Sequence, residues 1–111
     1  MKEVEREILL AFWKIHILHH AAETPVYGQW MLNELRRHGY DVSPGTLYPL
    51  LQRMERHGWL VSERDKAAGP KGRINYRITE YGREVLAVVR KQLDELRGEV
   101  SGKAKRKGEK S

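Results

Sequence analysis

Residues 43–57 constrain this chain more than any other stretch. Ser43 suits a helix N-cap, Pro44 suits a first helical turn, and Gly58 suits a helix end. Between them, Leu47, Leu50, Leu51 and Met54 stand at i, i+3, i+4 and i+7, so a helix here buries one face only. The rest of its surface carries Thr46, Tyr48, Pro49, Gln52, Arg53 and Arg56. Hydroxyl, aromatic, amide and guanidinium groups are the types that reach base edges and phosphates. A helix held by one face and offering such groups on the other suits the recognition helix of a helix-turn-helix.

The neighbouring segments supply the apolar surface that such a helix needs. Val4, Ile8, Ala11, Phe12, Ile15 and Leu18 repeat at helical spacing, predicting a first helix over about residues 3–20. Leu10, Trp13 and Ile17 lie off that stripe, so this helix is expected to be covered on two sides. Thr24 before Pro25 reads as the start of a second helix running to about His38, with Tyr27, Met31 and Leu35 on one stripe and Gly39 ending it. The four residues from Gly39 to Val42 then form the tight turn of a helix-turn-helix. Trp59–Glu63 is strand-like, and Arg73–Ile78 alternates apolar Ile74, Tyr76 and Ile78 with polar Asn75 and Arg77. The turn-forming residues 64–72 make these a hairpin, and Thr79 can cap a last helix over about residues 80–97.

That last helix carries two apolar stripes. Tyr81, Val85 and Val88 form one; Leu86, Val89, Leu93 and Leu96 form another with heptad-like steps. One stripe can face the chain's own core, and the second is then a dimer seam. The competing reading lets the first helix cover both. The expected class is therefore mainly α with a small β-hairpin: a winged helix-turn-helix over residues 1–79, a dimerisation helix over 80–97, and a disordered basic tail over 98–111.

Charge points to the same partner class. The 111 residues carry a net charge of +6. Five basic residues against two acidic ones put +3 of it in residues 98–111. Arg64, Lys66, Lys71 and Arg73 outweigh Asp65 in the hairpin, for another +3. A basic balance favours polyanions such as nucleic acid. The lack of cysteine excludes disulfides and thiolate metal sites and fits a cytoplasmic setting. No apolar run approaches the ~18 residues of a membrane span, and the acidic start is unlike a signal peptide. No phosphate-binding glycine loop, nucleophile motif or paired-carboxylate arrangement suggests an enzyme.

The order helix, helix, helix, strand, hairpin loop, strand, helix and two sequence segments together resemble the PadR-type transcriptional regulators. The resemblance is densest in Ser43–Leu60, around Gly45-Thr46-Leu47-Tyr48, and recurs in Tyr76–Leu86 around Thr79 and Gly82. Weaker echoes are Ile8–Ala11 and Tyr27-Gly28. It spans residues 4 to about 97, and the single C-terminal helix resembles the smaller subfamily. The wing departs from the family's usual Arg-Lys-Tyr-Tyr by reading Arg73-Ile74-Asn75-Tyr76, and no tryptophan lies on the C-terminal helix. The resemblance implies a homodimeric, ligand-responsive repressor of an inverted-repeat operator in double-stranded DNA.

Within that frame, Ser43, Gly45, Thr46, Tyr48 and Pro49 are expected in the major groove, Gly45 permitting close approach. Gln52 can pair with adenine and Arg53 with guanine or phosphate. Lys66, Lys71 and Arg73, with Tyr76, complete the expected DNA-contacting set from the wing. Pro49 removes a helix hydrogen bond and crowds the Gly45 carbonyl, so a bend is expected there. Leu86, Val89, Leu93 and Leu96 are the expected dimer interface, and Phe12, Trp13 and Trp30 a candidate effector pocket. His16, His19 and His20 have spacing that can share a metal, but with no obvious carboxylate nearby they read as complements to a helix dipole. No metal or cofactor is expected. The alternative function is a winged-helix module that binds RNA or an acidic protein non-specifically through the basic wing; sequence-specific duplex binding separates the two.

Overall fold

The structure, a computed structural model, describes residues 1–65 and 73–102. Its elements follow in the order α1 (Lys2–Val4), a π-helical stretch (Glu5–Leu9), α2 (Leu10–Glu23), β1 (Val26–Tyr27), α3 (Gly28–Arg37), α4 (Pro44–Arg56), β2 (Leu60–Arg64), β3 (Ile74–Ile78) and α5 (Glu80–Ser101). The hairpin is one part of a three-stranded antiparallel sheet ordered β1-β3-β2.

The first correction concerns residues 24–27. Thr24 does not cap the second helix. It closes α2 in an extended conformation, donating its backbone N–H to the His20 carbonyl. Val26 and Tyr27 then pair with Tyr76 and Asn75 of β3, so α3 starts at Gly28. The hydrogen bonds offered by β3 win over a favourable local cap. The glycine ends stand as expected: Gly39 and Gly58 take φ of 95° and 82°, left-handed values that favour glycine. Each turn is closed by a bond back into the helix, Tyr40 N–H to the Leu35 carbonyl and Trp59 N–H to the Met54 carbonyl.

A single core joins the layers. Leu47, Leu50, Leu51 and Met54 of α4 are fully buried against α2, α3 and the sheet. Alternation along β3 turns Tyr76 and Ile78 inward and Arg77 outward, while Ile74, on the inward face, is exposed at the strand's start. Thr79 joins the sheet to α5: its Oγ1 accepts from Gly82 N–H and donates to the Gly58 carbonyl. Gly82 lies against the Trp59 carbonyl so closely that a Cβ would overlap it.

α5 is divided along its length rather than between two stripes. Leu86 is buried in the chain's own core and Val85 packs against it, so Leu86 is not a free seam residue. Beyond Val85 and Leu86, apolar residues of both stripes are left open: Val88, Leu93 and Leu96 are exposed and Val89 is half-buried. The helix also continues through Glu99, Val100 and Ser101, which the sequence assigned to a disordered tail. Residues 103–111 lie outside the described residues.

Candidate nucleic-acid interface

α4 is an unbroken α-helix from Pro44 to Arg56 with Pro49 inside it. Its apolar stripe turns inward, and Ser43, Gly45, Tyr48, Pro49, Gln52, Arg53 and Arg56 are exposed on the opposite side, with Thr46 half-buried. Ser43 occupies the N-cap without accepting a backbone N–H through its side chain. Its hydroxyl instead donates to Thr46 Oγ1 at 3.3 Å, while its carbonyl accepts from Thr46 and Leu47.

Tyr48 and Gln52 share a concavity of about 290 Å³ with Tyr27, Gln29 and Arg73. The Arg73 guanidinium sits 4.9 Å from the centre of the Tyr27 ring, a cation–π contact that holds the cation beside α4. Tyr27 in turn donates to Asp65 Oδ2 at 3.2 Å, and Asp65 N–H bonds the Arg73 carbonyl at 2.7 Å. These bonds fix the base of the wing. Gly28 lets Tyr48 lie close: a Cβ there would overlap the Tyr48 ring. Tyr27 and Gln29 escaped sequence reasoning because both were placed within a helix. The available signal was Gly28, a costly residue inside a helix that marks close approach.

The wing strand is also tied to α4. Glu55 Oε2 accepts from Ser62 N–H at 3.1 Å and from Ser62 Oγ at 2.8 Å. Tyr76 lies behind this contact and is 6 % exposed. Burial, then the Glu55 carboxylate and the Tyr48 phenol, push its hydroxyl pKa up. Tyr76 is thus chiefly a core residue, and it also lines the concavity beside Tyr48 and Gln52. Lys66 and Lys71 lie outside the described residues.

Within one chain, Phe12, Trp13 and Trp30 do not share one pocket. Trp13 is 2 % exposed, inside the core, with its ring edge-on to Tyr40. Trp30 stands on α3 against His20. Phe12 alone reaches an open apolar groove, of about 330 Å³, formed with Ile15, His16, His19, Leu86, Arg90 and Leu93 between α2 and α5. Arg90 and Arg83 anchor α5 there, bonding His19 Nδ1 at 3.1 Å and the Ala22 carbonyl at 3.3 Å. Among the described residues, no helix is long and apolar enough to cross a membrane.

Comparison with known proteins identifies the architecture. A family model described as "Transcriptional regulator PadR-like family" matches residues 17–88. The chain is 52 % identical over 97 residues to transcriptional regulator Rv3488 of Mycobacterium tuberculosis, covering 87 % of this chain and 90 % of the relative. Among solved structures, a PadR family transcriptional regulator from Eggerthella lenta superposes with a TM-score of 0.71 at 36 % identity, over 90 % of this chain and 84 % of that one. A PadR-like transcriptional regulator from Bacillus cereus gives 0.75 at 27 %, over 90 % and 94 %. With the recognition-type helix, the paired wing and the long C-terminal helix all in place, the chain belongs to the PadR-like family of transcriptional regulators.

Proposed function

We propose that the protein is a homodimeric repressor that binds an inverted-repeat operator, one α4 per half-site. The observation that carries this reading is the convergence of Tyr48, Gln52 and Arg73 on one exposed concavity beside α4. In that arrangement α4 enters the major groove. Gln52 reads a base edge, and Arg53 a base or a phosphate. Arg73 and the rest of the basic wing contact phosphate or the minor groove, giving affinity without sequence information.

Dimerisation is supported by the open apolar surface of α5. Leu93, Leu96 and Val100 are 39 %, 52 % and 75 % exposed, and Ile8 and Phe12 add to the same chain's exposed apolar residues. Exposed apolar side chains in this number suit an interface. Two recognition helices would then lie about 34–36 Å apart. A small apolar effector entering the Phe12 groove would act by its differential affinity for dimers that do and do not fit the operator. The protein would work in the cytoplasm, where the DNA is.

Selection of duplex DNA from a random pool at physiological salt tests the reading. Enrichment of one inverted repeat is the expected result. Salt-sensitive binding with no enriched sequence would overturn it and favour the non-specific basic module. Leu93→Asp should give a monomer by sedimentation; a dimer that still binds would place the interface elsewhere.

A further inference from the structure

Two helices bring together a set of side chains that lies apart from the DNA-facing surface. His16 and His20 lie one turn apart on α2, and His38 caps the end of α3. One ring nitrogen from each lies within 4.8 Å of the other two. The carboxylate that the sequence left unidentified is Glu34. Its Oε2 is 3.5 Å from His20 Nε2 and 3.1 Å from His38 Nε2. Glu34 Oε2 is in hydrogen-bond contact with His38 and accepts from Arg37 at 2.8 Å, so it stands as an outer partner that orients the imidazoles. The Glu34 and His20 side chains are only 11 % and 16 % exposed.

We infer that His16, His20 and His38 form a binding site for one zinc-class divalent cation, with Glu34 as the carboxylate beside His20 and His38. Three imidazoles favour zinc, cobalt or nickel over the oxygen-preferring calcium and magnesium, and leave a fourth position open. The surroundings prepare the ligands. Arg37 donates to both Glu34 oxygens, and Tyr40 Oη lies 3.3 Å from His16 Nε2. Partners of this kind orient metal ligands. A second set, His19, His20 and Glu23, shares His20 but is poorer: Glu23 is 61 % exposed, with ligand separations of 3.6 and 3.8 Å. The cation would tie α2 to the end of α3, just before the turn into α4. This inference does not depend on the operator reading.

Cobalt titration of the untagged, full-length protein tests it, since four-coordinate cobalt absorbs strongly in the visible. Expected are one ion per chain, visible bands, and displacement by zinc. His38→Ala should abolish the bands and weaken binding at least about tenfold, while His19→Ala should change neither. His38 is a surface cap, so circular dichroism of the metal-free variant should match the parent. Loss in His19→Ala with retention in His38→Ala would move the site to the second set and overturn the inference. So would the absence of saturable submillimolar binding by the parent.

Discussion

Gly82→Ala should destabilise the fold by about 1–2 kcal/mol, although replacing a helical glycine with alanine normally stabilises by about 0.8–1.0 kcal/mol. The added Cβ would overlap the Trp59 carbonyl and lie 2.7 Å from Ile78 Cγ1. That carbonyl is backbone, and it is held by Thr79 N–H at 3.0 Å. It cannot swing aside as a side-chain tip would. Overpacking costs typically about 1–3 kcal/mol, and a rigid neighbour puts this site at the upper end, leaving the net loss given. Each kcal/mol lowers the midpoint of a chain this size by about 4–8 °C. The assay is thermal and urea unfolding at fixed protein concentration, because the stability of the proposed dimer would depend on concentration. An unchanged urea slope with a lower midpoint is expected. A variant as stable as the parent would mean that α5 does not seat against the β2 entry as described.

Gly45→Ala should behave in the opposite way. Its Cβ would meet only Ser43 Oγ, at 3.8 Å, so stability should hold or rise while operator affinity falls, as read by titration of labelled duplex. Arg73→Gln should weaken binding nearly equally on all duplexes and lower the salt slope by about one, whereas Gln52→Ala should relax specificity at one position at a cost of about 1–3 kcal/mol. Glu55→Ala should cost about 1–3 kcal/mol in unfolding free energy, since it leaves the part-buried Ser62 N–H without its acceptor. Stability measured with a chelator present should fall as pH drops below about 6.5. Burial, His38 and the neighbouring imidazoles lower the His16 pKa, and burial and His19 lead the lowering at His20. Unfolded imidazoles therefore take up protons first, and the unfolded state gains as pH falls. Glu34, held down to about 2 chiefly by its hydrogen bond from Arg37, stays ionised through that window and cannot cause the trend. A His16→Gln, His20→Gln double variant should flatten it.

The helices that bury a stripe were legible because burial follows period. Leu47, Leu50, Leu51 and Met54 of α4 are all inside, and both glycine ends fall where their chemistry requires. The misreadings share a physical cause, which is tertiary contact acting on short or ambiguous segments. Val26 and Tyr27 are too few to show a period of two, and only the pairing with β3 makes them a strand. Tyr76 carries a polar tip, yet its parity with Ile78 already turns it inward. Leu86 and Leu93 look alike in a heptad pattern; only the position where α2 stops covering α5 separates them. Likewise, His38 and Glu34 are distant from His16 along the chain, so their meeting depends on how α3 packs on α2.

The two bonds from Glu55 to Ser62 connect reading helix to wing without involving DNA. Their consequence is preorganisation. The angle between α4 and the wing is set when the protein folds, so in the proposed operator complex its ordering entropy would not be charged against binding. An operator whose grooves do not match that angle must itself deform. Part of the discrimination between sequences would then reside in the bendability of the DNA at base pairs that no side chain touches.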